Sequence, residues 1–275
     1  MNMNRASVIG IILGIAAVAG GSYLESGRLS SILQPTAALI VFGGTLGATL
    51  LSFPLSDVLK AGHALRQVFL DDRADPRGLI DDLVRYAGIA RRSGLIALDG
   101  EIRKIEDPFF RKSMTLALDH MNPKMLRETM EQDNITSEME RRRLARVYET
   151  AGGFAPTIGI IGAVLGLIHV MENLAEPARL GSGIAVAFVA TIYGVGSANL
   201  ILLPIAKKLI NRMNQDLAVR EMIVEGVIGI QAGMNPHYLR ERLGVFLEER
   251  EEPRTVAAEA RAHRKKERVA GTTYL

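Results

Sequence analysis

The sequence predicts an all-α polytopic membrane protein with four transmembrane helices and a helical cytoplasmic domain. Residues 6–24, 29–56, 150–171 and 180–206 contain no Asp, Glu, Lys or Arg, in runs of 19, 28, 22 and 27 residues within a chain of 275. About 20 apolar residues span the hydrocarbon core as a helix, so each run can hold one span. The 33 Lys and Arg are also segregated, with 17 in 57–149 and 13 in 207–275. Only Arg28 separates spans one and two, and only Arg179 separates spans three and four. Finally, no alternation of apolar and polar residues lasts long enough for a sheet. The overall 48% hydrophobic and 23% charged composition averages two unlike kinds of segment.

Span one follows Arg5, an arrangement that could also be a secretory signal. Its run exceeds a usual signal core, carries a single preceding base and is followed at once by a second apolar run, so it reads as uncleaved. Basic excess marks the cytoplasmic side, most dependably in short segments. That rule puts both termini and the two long polar segments inside, with outer loops at roughly 25–31 and 172–182. The expected organisation is spans one and two in 1–56, a cytoplasmic helical domain in 57–149, spans three and four in 150–206, and a helical tail in 207–275 that is disordered after about 253.

Small residues recur on every span: Gly10 with Gly14, Ala17 with Gly21, Gly43 with Gly47 and Gly44 with Ala48. Span three carries Gly159, Gly162 and Gly166, and span four carries Ala187, Thr191, Gly194 and Ala198. Such stripes let helix backbones approach in lipid, where hydrophobicity does not drive association. They suit packing within the chain and packing against other subunits, and both are expected.

In the cytoplasmic segment, Leu79, Leu83, Ala87 and Ala90 form one apolar stripe, and Leu95, Leu98, Ile102 and Ile105 form a second. Gly94, after Arg91-Arg92-Ser93, is a helix stop, so the stripes predict a helical hairpin. Pro108 and Pro123 open further helices, and Arg141–Arg146 lies on the helix entering span three. The segment is small for an independent core and is expected to pack partly on extensions of its own spans or on neighbouring subunits. Residues 207–232 continue span four as an amphipathic helix, and Pro236 opens another to about residue 250.

Equipment for catalysis is not visible. There is no Cys, which excludes thiolate chemistry, disulfides and Cys-based metal sites. No phosphate loop, zinc-protease or nucleophile-elbow motif is present. The five His are scattered, and a net charge of +3 does not argue for nucleic acid. No cofactor is expected. An ion path needs polar groups in the membrane, and spans three and four offer Thr157, Thr191, Tyr193, Ser197 and Asn199, with Pro156 and Pro204 both near the cytoplasmic end. A proline inside a helix removes a backbone hydrogen bond or bends it. Pro156 also suits the first position of a helix after Gly152-Gly153, and Pro204 equally suits an incidental kink. Having no charged group in its spans, an ion-conducting chain of this kind must borrow a carboxylate from a partner helix.

Three stretches carry a family resemblance: Ala90-Arg-Arg-Ser-Gly-Leu-Ile-Ala-Leu-Asp99, Phe154-Ala-Pro-Thr-Ile-Gly-Ile-Ile-Gly-Ala-Val-Leu-Gly-Leu167, and Ala187-Phe-Val-Ala-Thr-Ile-Tyr-Gly194 continuing to Leu203-Pro-Ile-Ala-Lys-Lys-Leu209. With the order two spans, cytoplasmic helices, two spans and tail, the chain resembles the MotA, PomA and MotC family of flagellar stator subunits over residues 5 to 250. The resemblance implies a non-enzymatic machine in the bacterial inner membrane. Five copies would surround the spans of two MotB-like chains whose aspartate carries the ion, and the ring would push on the rotor protein FliG. Position by position, it assigns Arg91 and Arg92 to the rotor-facing basic pair and Asp99 to its acidic residue, usually Glu. It assigns Pro156 and Pro204 to the coupling prolines and Thr191 to the ion-path hydroxyl, whose alternative is a bond to its own helix. Sodium-driven members resemble this sequence but carry Thr where Ala163 stands. A methyl is no sodium ligand, so a proton is the expected ion. An ExbB- or TolQ-like motor shares the proton logic but usually has three spans, against four here.

Overall fold

The structure, a computed structural model, describes residues 2–3, 5–26, 32–71, 75–175 and 177–251. Most of the first outer loop, with Arg28, and the expected disorder after 253 lie outside them. Apart from a two-residue antiparallel ladder pairing Asn2 with Asp71 and Met3 with Leu70, the described chain is helical. Four helices are long and apolar enough to cross a membrane.

The chain divides into two compact units, Met1–Asp72 with Met139–Met213 and Arg73–Glu138 with Asn214–Leu275. The first holds the four spans. Span one is α1 (Arg5–Ser26), and span two is α2 (Pro35–Ala38), a π turn at Leu39–Gly43 and α3 (Gly44–Ser52). After the break at Phe53-Pro54, α4 (Leu55–Phe69) begins. Span three is the later part of a 50-residue helix whose range, Pro123–Glu172, follows three shorter helices of the second unit. Span four starts at Pro177 and runs to Ser197, then through a π turn at Ala198–Leu202 into a helix ending at Gln231.

In chain order the second unit opens with α5 (Pro76–Ser93), capped by Asp75 accepting from the Arg77 N–H at 3.0 Å. Gly94 ends it at φ 81°, a conformation that favours glycine. The second apolar stripe is not the long helix its spacing predicts. It forms a 3₁₀ turn at Leu95–Leu98 and a short α6 (Asp99–Ile102), because Asp107-Pro108 restarts the chain so soon afterwards. There α7 (Pro108–Leu118) begins under an Asp107 cap. The long helix at Pro123–Glu172 is α8, span four is α9 (Pro177–Ser197), α10 is Leu203–Gln231 and α11 is Pro236–Glu251.

This unit has a core of its own. Leu83, Leu98, Phe110, Met114, Leu126, Met130, Val227, Leu239 and Leu243 are all buried in one cluster. The segment judged too small to fold by itself is completed by α10 residues past 213 and by α11. Glu225 of α10 fastens it, accepting from Arg127 of α8 at 2.6 Å and Arg242 of α11 at 2.8 Å.

Candidate functional site

In the first unit, spans three and four run antiparallel with almost no side chain between them. A Cβ added at Gly159 would lie 2.9 Å from the Ala190 carbonyl oxygen, and one at Gly194 would lie 2.5 Å from that of Ala155. One at Gly166 would meet the Ala187 nitrogen at 2.7 Å, and one at Gly152 would meet Leu203 at 2.8 Å. Gly152, Gly159 and Gly166 recur every seven residues, the repeat that keeps one helix face on a partner. The facing residues of span four are Gly183, Ala187, Ala190 and Gly194. Thr191 is not among them, although its spacing had placed it on that stripe.

One side of this seam is covered. Span two packs there, with Gly44 against Ile158, Ile40 beside Gly162, and Ala37 and Val41 clustered with Val189 and Ala190. The Tyr193 hydroxyl donates to the Ile32 carbonyl at 2.5 Å, and its ring stacks on Phe42. The other side is open. At mid-seam the two spans meet at Gly162 and Ala190, a Cβ added at Gly162 lying 2.8 Å from the Ala190 methyl. One residue further along each antiparallel helix turns both side chains by about 100° towards the same side. Ala163 and Thr191 therefore flank the uncovered side at one level. The same stripes continue through Pro156 and Ile160 on span three and Phe188 and Val195 on span four, and Ile160 and Phe188 are 58% and 69% exposed. The Thr191 hydroxyl donates to the Ala187 carbonyl at 3.3 Å, a bond to its own helix.

Pro156 lies inside α8, which excludes a helix start at Gly152-Gly153. Its neighbour Ala155 touches the seam at Gly194, and Pro204 follows the Leu203 that meets Gly152, so both prolines lie towards the same end of the pair, Pro204 more than one turn beyond Pro156. Pro204 has no N–H to return to Leu200, and its ring would crowd that carbonyl. The π turn immediately before it widens the helix, and the Leu203 N–H reaches back to Ala198. An irregular helical turn is therefore built into the chain next to the seam. On span one a Cβ added at Gly14 would lie 3.4 Å from Leu200, whereas one at Gly10, Gly20 or Gly21 would meet open space.

The second unit gathers the charged residues. Arg91 and Arg92 occupy the last turn of α5, and Asp99 begins α6; all three are exposed. The Arg92 Nε donates to the Gly88 carbonyl at 3.2 Å, and Asp99 pairs with Arg103 at 3.3 Å. Two residues that spacing alone does not single out organise the patch. Glu101 accepts from Lys104 at 2.7 Å and lies 3.7 Å from Arg85. Arg85 also pairs with Asp82 at 2.9 Å and stacks on Tyr86. The Lys104 hydrogen bond and charge hold the Glu101 carboxyl below its usual range, while burial pushes the Tyr86 phenol up. The sequence signal for this pairing was Asp82 three residues before Arg85 and Glu101 three before Lys104, the spacing of neighbours on a helix. Among the described residues no group of acids and His could hold a metal ion.

Comparison with known proteins converges. Residues 8–93 match the family model described as Motility protein A N-terminal, and residues 101–222 match that of the MotA/TolQ/ExbB proton channel family. The chain is 37% identical over 239 residues to Uncharacterized protein YtxD of Bacillus subtilis, covering 87% of each. It is 31% identical over 246 residues to Motility protein A of the same organism, covering 89% of this chain and 91% of that one. A solved structure of C. jejuni MotAB superposes with a TM-score of 0.86 at 29% identity, over 92% of this chain and 98% of the other.

Proposed function

The chain belongs to the MotA family and is an ion-conducting stator subunit of the bacterial flagellar motor, and from that premise we propose how its two units share the work. The observation that carries the reading is the uncovered side of the span three and four seam, bearing Pro156, Ala163 and Thr191. It is apolar apart from one hydroxyl, which suits a transmembrane helix of a second chain. The solved relative contains MotB beside MotA, which supports a MotB-like partner here. Five copies of this chain would surround two such partners, and the partner's aspartate would carry the ion between the Thr191 level and the π turn before Pro204. A membrane potential supplies about 2.3 kcal/mol per charge per 100 mV. Neutralising the aspartate changes which faces of the ring it prefers, and the paired prolines let those faces move.

The ion is a proton. Ala163 offers a methyl where a sodium path would use a hydroxyl. Both termini and the second unit lie in the cytoplasm, where Arg91, Arg92 and Asp99 present a mixed-charge surface to FliG. Charge complementarity of that kind gives orientation and fast, reversible contact rather than tight binding. The ExbB- or TolQ-like reading is not favoured, because the similarity to Motility protein A covers 89% of this chain and that to MotAB covers 92%.

Deleting the gene in a strain with no second stator, with flagella counted and swimming scored in the same cells, tests this reading. Filaments that assemble but do not rotate are expected, and a protonophore should stop complemented cells where sodium removal does not. Unimpaired swimming would contradict the motor role; a stop on sodium removal alone would contradict the ion.

A further inference from the structure

Where spans two, three and four reach the same membrane face, the first unit packs three helices together. Ala61, Ala64 and Val68 of α4, Ala145 and Tyr148 of α8, and Ile205 and Leu209 of α10 form one buried cluster. The Tyr148 hydroxyl ties α8 to α4 by donating to the Ala61 carbonyl at 2.8 Å. The outward faces of these helices are strongly basic. Residues 57–66, 140–149 and 205–212 hold nine Lys and Arg against three carboxylates. One of those carboxylates, Asp57, is buried and spent on Arg143 at 3.4 Å. Lys60, Arg146 and Lys207, one from each helix, are all exposed.

Orientation in the membrane requires only that bases stay on one side. It does not require the neighbouring α4 face, where Leu55 and Leu59 are 63% and 58% exposed beside Lys60 and His63. An apolar edge flanked by bases, at the boundary of three spans, is the chemistry of a surface that rests in the headgroup layer. We propose that this three-helix collar binds the phosphodiester headgroups of anionic phospholipids, with Lys60, Arg146 and Lys207 facing the phosphates and Leu55 and Leu59 against the acyl chains. The inference rests on the four-span reading but not on torque generation.

The test uses the purified full-length chain in phosphatidylcholine bilayers doped with spin-labelled phosphatidylglycerol or spin-labelled phosphatidylcholine, with the protein-associated fraction read by electron paramagnetic resonance. The anionic probe should associate several-fold more strongly, and salt should erase the difference. Each of Lys60→Gln, Arg146→Gln and Lys207→Gln should weaken that preference, by up to about fivefold. Arg91→Gln and Lys104→Gln in the second unit should leave it unchanged. Equal association of the two probes with the unmodified chain would overturn the proposal without needing any variant, as would equal loss in the second-unit controls. Competition by inorganic phosphate that removes the preference at constant ionic strength would assign the site to free phosphate instead. Swimming assays are separate, so failure here leaves the stator role standing.

Discussion

The seam between spans three and four and the charged patch around Asp99 are built on opposite principles. The seam is defined by atoms that are missing: Gly159, Gly166 and Gly194 let backbone lie on backbone, and no charge is present. Interiors packed this way do not absorb an extra methyl, so the seam tolerates little change. The patch is defined by charges on exposed side chains, Asp99 with Arg103 being typical at 58% and 80% side-chain exposure. Such pairs are screened and individually weak, so the patch can lose one member and remain folded. The proposed function, with ion passage beside the seam and rotor contact at the patch, calls for this division.

The largest effect expected of a single change is at the seam. Gly194→Ala puts its methyl 2.5 Å from the Ala155 carbonyl oxygen, a backbone atom that cannot rotate away. It should cost about 3 kcal/mol and abolish motility. Gly196→Ala, whose added methyl meets nothing within 4 Å, should be neutral or stabilising by up to about 1 kcal/mol. Thermal melting of the two purified variants checks the pair; equal melting would remove the distinction between seam and surface.

Pro204→Ala sharpens the comparison, because it restores an N–H to a helix that is otherwise intact. The protein should melt no lower than the parent, yet rotate about tenfold more slowly if Pro204 and its π turn couple ion passage to movement, within the usual range of coupling energies. Tethered-cell rotation against membrane content of the subunit separates these. Arg91→Glu should likewise leave melting nearly unchanged, since Arg91 is exposed on the last turn of α5, and should lower stall torque about tenfold through like-charge contact. Reversing an acidic residue on the rotor should restore part of it.

The smallest effect is at Glu101. Its folded-state carboxyl is held below the usual range chiefly by Lys104. A depressed folded value means the pair stabilises above the unfolded pKa and that this is lost as pH falls through the folded value. Melting curves of the parent and Glu101→Gln should therefore differ slightly at neutral pH and converge in acid. A difference that grows in acid would reverse the assignment.

The elements legible in the sequence were those written in single residues. Charge-free runs gave the four spans, Pro108, Pro123 and Pro236 open helices where expected, and Gly94 stops α5. What stayed hidden depends on two segments at once. The π turns at Leu39–Gly43 and Ala198–Leu202 have no pattern of their own. The alternative of a helix start at Pro156 rested on Gly152-Gly153 as an ordinary break, but Gly152 serves the helix pair: a Cβ there would strike Leu203 of α10. Thr191 shared its stripe with the true seam residues and differs from Ala190 by one position, a distinction only the partner helix reveals. Arg85 and Glu101 lie 16 positions apart, on either side of the Gly94 turn, and neither predicts the other.

The central claim is that the uncovered side of the seam receives a second chain, and the absence of native Cys makes a direct measurement possible. Thr191→Cys lies on the open side, and Val189→Cys lies on the side packed by span two, where Val189 is 5% exposed. Each variant would be labelled with a membrane-permeant maleimide, with and without the co-expressed MotB-like subunit. Thr191→Cys should react when this chain is alone and become protected when the partner is present, while Val189→Cys stays protected in both. Labelling of Thr191→Cys that ignores the partner, in complexes shown to have assembled, would contradict the account.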